Sequence, residues 1–130
     1  MEKIKELFKE DKFANLCGIQ LIEVRPGYAK CTMKVTENHL NGIGVLMGGA
    51  IFTLADFSFS VAANSYGGVA VLLNASINYL KKCDHGEITA IASEISRTHK
   101  IGVYRVSVTD EINQQIAEFT GTSYLKETQS

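Results

Sequence analysis

The chain has 130 residues, a length that fits one domain built on one hydrophobic core. Thirteen Lys and Arg against fourteen Asp and Glu leave a formal charge of -1, which gives no general attraction to nucleic acid or an anionic membrane. Hydrophobic residues at 45% with charged residues at 21% exclude intrinsic disorder.

The first predicted element is an amphipathic helix from Glu2 to Asp11, with Ile4, Leu7 and Phe8 at helical spacing. Its charged start is unlike a secretory signal. Three cysteines without a CxxC pair predict reduced thiols, so the expected setting is cytoplasmic. Ile19–Arg25 and Tyr28–Val35 read as two strands joined at Pro26-Gly27, and Thr36–Leu46 as a loop rich in Asn and Gly. An apolar helix is predicted from Gly48 to Ser65, ending ahead of Gly67-Gly68.

The hydrophobic period then changes to two. Val71, Leu73, Ala75, Ile77 and Tyr79 share one predicted face of a strand, with Asn74, Ser76 and Asn78 on the other. Ile88–Ser96, Val103–Thr109 and Gln115–Leu125 complete the set, and the turns at 97–100 and 110–113 predict hairpins. The expected architecture is one α+β domain over residues 1–130, a long helix laid on a curved antiparallel sheet of five or six strands.

Charge is distributed unevenly: between Asn38 and Leu80 the only charged side chain is Asp56. Val45–Ala63 approaches the ~20 residues of a membrane span. An acid at its centre and the lack of basic flanks favour a buried core helix instead, and no membrane association is expected. One sheet face cannot cover a helix that is apolar nearly all round, so a second copy of the chain is expected against it. Cys17, Cys31, Cys83, His39, His85 and His99 are scattered, with no spacing that suggests a metal site. His39 reads as a loop-structural residue.

The candidate chemistry lies in 39–56. Gly48 and Gly49 open the helix, where free amide N–H groups favour developing negative charge and glycine allows a carbonyl to approach closely. Asp56, far in sequence from any basic residue, should have its pKa raised by burial. Asn41 offers an uncharged donor and acceptor on the loop, although an Asn-Gly turn alone would also explain it. Close packing would equally explain the glycines. Gly48 and Asp56 are about 12 Å apart along one helix, too far to share one reacting carbonyl. Two copies with antiparallel helices would form a composite site, with Asn41, Gly48 and Gly49 from one and Asp56 from the other.

This pattern of Asn41, the glycine pair and Asp56 on a loop followed by a long apolar helix resembles the hotdog-fold thioesterases of the phenylacetate-degradation type. The resemblance spans nearly the whole chain. It implies acyl-CoA hydrolysis without metal or redox cofactor, in a dimer or a tetramer built from dimers. Asp56 would be general base or nucleophile, a helix-start amide at Gly48 or Gly49 would polarise the thioester carbonyl, and Asn41 would orient water or substrate. Two positions depart from the pattern. Met47 stands where many relatives carry His beside the glycine pair, and Leu72, with Asn74 next nearest, stands where some carry Ser or Thr. Lys81, Lys82, Arg97 and Lys100, by default solvated strand ends, become candidate partners of the CoA phosphates, and Phe52, Phe57 and Phe59 candidate acyl-pocket walls. A non-catalytic acyl-CoA-binding module is the alternative reading. A hydratase of the same fold would need a His, and only His39 is near in sequence.

Overall fold

The computed structural model describes residues 2–127. Its six strands form one sheet in the order β1-β2-β4-β5-β6-β3, with every neighbouring pair antiparallel. The strands are β1 (Ile19–Arg25), β2 (Tyr28–Lys34), β3 (Val69–Tyr79), β4 (Glu87–Arg97), β5 (Ile101–Thr109) and β6 (Gln115–Glu127). The alternation in β5 is clean: Tyr104, Val106 and Val108 are buried, and Arg105 between them is exposed. A helix, α3 (Gly48–Ala63), lies across this inner face, with Ile51, Leu54 and Phe59 among its buried residues.

Three expectations need correction. The amino-terminal helix is two helices, α1 (Glu2–Lys9) and α2 (Lys12–Cys17). Asp11, read as the end of one helix, caps the next by accepting from the Ala14 N–H at 3.1 Å. These helices also help to cover α3, with the Phe8 and Phe57 rings meeting edge to face at 5.6 Å. α3 thus has cover from within its own chain beyond the sheet, and its apolar character does not by itself call for a second copy.

α3 stops at Ala63, short of the expected Ser65. The Asn64 side chain donates to the Ser60 carbonyl at 2.8 Å and accepts from the Ala70 N–H at 2.9 Å, tying the helix end to the first turns of β3. A short polar side chain that bonds backbone in this way competes with further helix.

The third is in β3. Leu72 pairs with Ser123 and Asn74 with Thr122, so Leu73 is an extra, bulged residue. The bulge shifts the phase: Ala75 and Ile77 pack on the core as expected, but Ala70 takes the inner place expected for Val71. β3 is also an edge strand, and Val69, Val71, Leu72, Leu73, Tyr79 and Leu80 are exposed along it. No helix among the described residues is long and apolar enough to cross a membrane.

Candidate active site

α3 begins without a side-chain cap. Its N-cap residue is Met47, whose exposed side chain makes no capping hydrogen bond. The Met47 carbonyl accepts from the Ala50 N–H at 3.0 Å and the Ile51 N–H at 3.2 Å. The N–H groups of Gly48 and Gly49 have no backbone or side-chain partner among the described residues. They are two orphan donors at the positive end of the helix.

The two glycines differ. A Cβ on Gly48 would lie 3.1 Å from Cζ of Tyr79, whose hydroxyl donates to the Gly48 carbonyl at 3.0 Å. A Cβ on Gly49 would meet nothing within 4 Å. Close packing thus explains Gly48, and the open side belongs to Gly49.

Asn41 shapes the loop that leads into this turn. Its Oδ1 accepts from the Ile43 and Val45 N–H groups at 3.1 and 3.2 Å, so the turn-forming reading accounts for the oxygen. Its exposed Nδ2 makes no hydrogen bond among the described residues and is the end left to act as a donor. His39 fixes the other end of the loop. Its Nδ1 accepts from the Thr36 N–H at 2.9 Å, its Nε2 donates to the Cys17 carbonyl at 2.8 Å, and its own carbonyl accepts from the Met47 N–H at 2.9 Å. The ring is buried with both nitrogens engaged, which suits the structural role and leaves nothing for acid–base work.

Asp56 lies two turns further along α3, half-buried, with Oδ1 shielded from solvent and without a hydrogen-bond partner. Desolvation raises its pKa above the ordinary aspartate range, and the Asp11 carboxylate raises it further. A carboxylate so placed is a stronger base than one in water. No group of three or more His, Cys, Asp and Glu among the described residues is arranged to hold a metal.

The remaining candidates fall into two separate places. Lys81 and Lys82 line an open cavity of about 470 Å3 with Gly48 and Tyr79. Lys81 is already engaged, its ammonium 2.9 Å from Asp110 and bonded to Gln114. Arg97 and Lys100 border a second cavity of about 230 Å3 beyond the far end of α3, with Tyr66, Gly68, His99 and Tyr104. There the Arg97 guanidinium stacks 3.6 Å over the Tyr66 ring. Asp56 and Asn41 belong to neither cavity. Leu72 and Asn74 flank the β3 bulge on the free edge, both exposed.

Among the phenylalanines, Phe59 is fully buried against Tyr104 and Phe119 and Phe57 packs on Phe8, so both are core. Phe52, half-buried against Phe119, is the one left near a surface. Tyr79 is a site residue that sequence reasoning does not single out, and the one signal for it is its place in the alternating series Ala75, Ile77, Tyr79.

Residues 43–117 match the family model of the thioesterase superfamily. The acyl-coenzyme A thioesterase PaaI of Escherichia coli is 34% identical over 119 residues, covering 91% of this chain and 85% of that one. Human acyl-coenzyme A thioesterase 13 is 32% identical over 102 residues, covering 76% and 73%. The solved E. coli PaaI protein from the phenylacetic acid degradation operon superposes with a TM-score of 0.90 at 32% identity, covering 93% of this chain and 88% of that chain. A Streptococcus mutans protein solved with acetyl CoA bound gives a TM-score of 0.82 at 28% identity, covering 86% and 91%. The chain belongs to the thioesterase superfamily and is a PaaI-like hotdog thioester hydrolase.

Proposed function

We propose that the chain hydrolyses acyl-CoA thioesters in a site shared between two copies. The observation that carries the reading is Asp56: the only charge from Asn38 to Leu80, half-buried, with one carboxylate oxygen shielded and unpartnered. The acyl-CoA thioesterases of E. coli and human to which the chain is similar support the substrate class.

Asp56 removes a proton from water as the water oxygen attacks the thioester carbonyl. The oxyanion is met by the unpartnered N–H groups of Gly48 and Gly49, and the Asn41 amide donates to the water or the carbonyl. Collapse breaks the C–S bond, and the Asp56 carboxyl returns its proton to the departing CoA thiolate. If Asp56 instead attacks directly, the same groups stabilise the oxyanion that leads to a mixed anhydride, which water then cleaves.

The spacing of about 12 Å between Gly48 and Asp56 along one helix requires a partner. The apolar edge of β3 supports the same requirement, since an exposed edge strand is a template for pairing. Antiparallel pairing of two β3 edges sets the start of one strand against the end of the other. The cavity with Arg97 and Lys100 on one copy then nears Lys82 on the next, gathering cations for CoA phosphates. Met47 and Leu72 border this site as apolar contacts and Asn74 as a polar one. A homodimer, or a tetramer of two such dimers, is the assembly proposed, and free thiols at Cys17, Cys31 and Cys83 suit a cytoplasmic setting.

Thiol release from a panel of aromatic, short-chain and long-chain acyl-CoAs tests the reading. Wild-type protein is expected to release CoA from at least one class and Asp56→Asn from none, with fold and assembly retained. Binding without release by the wild type would instead indicate a carrier or sensor of acyl-CoA.

A further inference from the structure

We infer that Tyr79 is a positioning residue for the oxyanion donor, acting through the Gly48–Gly49 peptide; this rests on the helix-start reading above. The Gly48 carbonyl and the Gly49 N–H belong to one rigid, planar unit and point in opposite directions. The Tyr79 hydroxyl donates to that carbonyl at 3.0 Å, and its ring packs tightly on the turn, 3.1 Å from where a Gly48 Cβ would sit. Holding the oxygen fixes the direction of the N–H. The same hydrogen bond draws electron density toward the oxygen and makes the N–H a stronger donor, the cooperative effect of linked hydrogen bonds.

The Gly49 side of the unit is open, with nothing within 4 Å of a built Cβ and no partner on the N–H. Most helix starts are held by a side chain that accepts from these N–H groups. Such a cap would occupy the donors the reaction needs. Met47 cannot cap, and Tyr79 grips the turn through its acceptor instead, leaving both glycine N–H groups unoccupied. The strand makes this possible: Tyr79 is the last residue of β3, held in register opposite Ala117, two and four residues beyond Ile77 and Ala75, and its hydroxyl reaches the Gly48 carbonyl.

The experiment is Tyr79→Phe, which removes the hydroxyl and keeps the ring against Gly48. The expected result is kcat lowered roughly 5- to 20-fold, with KM within about twofold and an unchanged melting temperature. A second measurement uses an acyl-CoA labelled with 13C at the thioester carbonyl, bound to Asp56→Asn so that it is not consumed. Its infrared carbonyl band should move to lower frequency on binding, and part of that shift should be lost in Asp56→Asn combined with Tyr79→Phe. A wild-type kcat in Tyr79→Phe, or an equal carbonyl shift with and without the hydroxyl, would overturn the inference. Gly49→Pro separates the two levels, because it deletes the N–H where proline is tolerated in a first helical turn. An inactive Gly49→Pro beside a fully active Tyr79→Phe removes the role of Tyr79 alone, and a fully active Gly49→Pro removes the Gly49 N–H as an oxyanion donor and the role of Tyr79 with it.

Discussion

His39 Nε2 donates to the carbonyl of Cys17 at 2.8 Å, which pins the end of α2 to the loop that leads into α3. With Nδ1 accepting from Thr36 and the His39 carbonyl accepting from Met47, one buried residue joins three segments around the candidate site. Replacing it with Ala strands a carbonyl and an N–H, so His39→Ala should cost about 1–3 kcal/mol, read from denaturant unfolding. Because the ring performs no chemistry, hydrolysis should persist well below the lowered melting temperature. Total loss of turnover in a folded variant would give His39 a catalytic place.

The glycine pair should divide stability from activity. Gly49→Ala enters open space and gains helix propensity, up to about 1 kcal/mol, so its melting temperature should equal or exceed the wild type. Its methyl group narrows the approach of a carbonyl, and thiol release should slow. Gly48→Ala would press on the Tyr79 ring 3.1 Å away and should be the less stable of the two. Thermal melts beside thiol-release rates check both, and a more stable Gly48→Ala would contradict the packing described for that turn.

In the proposed mechanism Asp56 should link activity and stability to pH with opposite signs. Its folded pKa is raised by desolvation first and by Asp11 second, so the base form, and with it kcat, appears only as pH climbs above the ordinary aspartate range. The folded state holds this proton more tightly than the unfolded chain. The associated stability is present below the unfolded value near 3.8 and is lost as pH rises through the folded value. Asp56→Asn should therefore raise the melting temperature at neutral pH and not at pH 3. Asp11→Asn keeps a side chain able to cap α2 but drops the charge, so the acidic limb of the rate profile should move to lower pH.

Arg97 and Lys100 border a cavity remote from Gly48 in the same chain, and their proposed partner is the nucleotide end of CoA. Replacing both with Ala should raise KM for an acyl-CoA by roughly tenfold or more, with kcat little changed. The KM for the same acyl group on N-acetylcysteamine, which lacks phosphates, should not move. Equal losses on both substrates would assign these residues to folding.

The sequence made some features plain and hid others. Alternation in Val103–Thr109 is legible because the outward positions are Arg and Ser, so the two faces differ chemically. The bulge in β3 is not, since Val71, Leu72 and Leu73 are all apolar and carry no phase information across the break. Asp11 can cap a helix as well as end one, and its use here shows only in the fold, where its side chain accepts from the Ala14 N–H. Asp56 and the glycine pair stood out through charge and backbone chemistry, which are local properties. The engagement of Lys81 by Asp110 and of the Gly48 carbonyl by Tyr79 joins residues far apart in sequence, beyond the reach of any local pattern.

A site composed from two copies has a direct test in mixed assemblies. Asp56→Asn and Gly49→Pro are each expected to be inactive alone. Unfolded together and refolded as an equal mixture, half of the dimers should be heterodimers, each with one intact site that takes Asp56 from one subunit and the helix start from the other. Thiol release should then return to about a quarter of the wild-type rate, as two-fold symmetry requires. If Asp56 and Gly49 act within a single chain, every subunit in the mixture is defective, and no recovery above the separate variants would contradict the shared site.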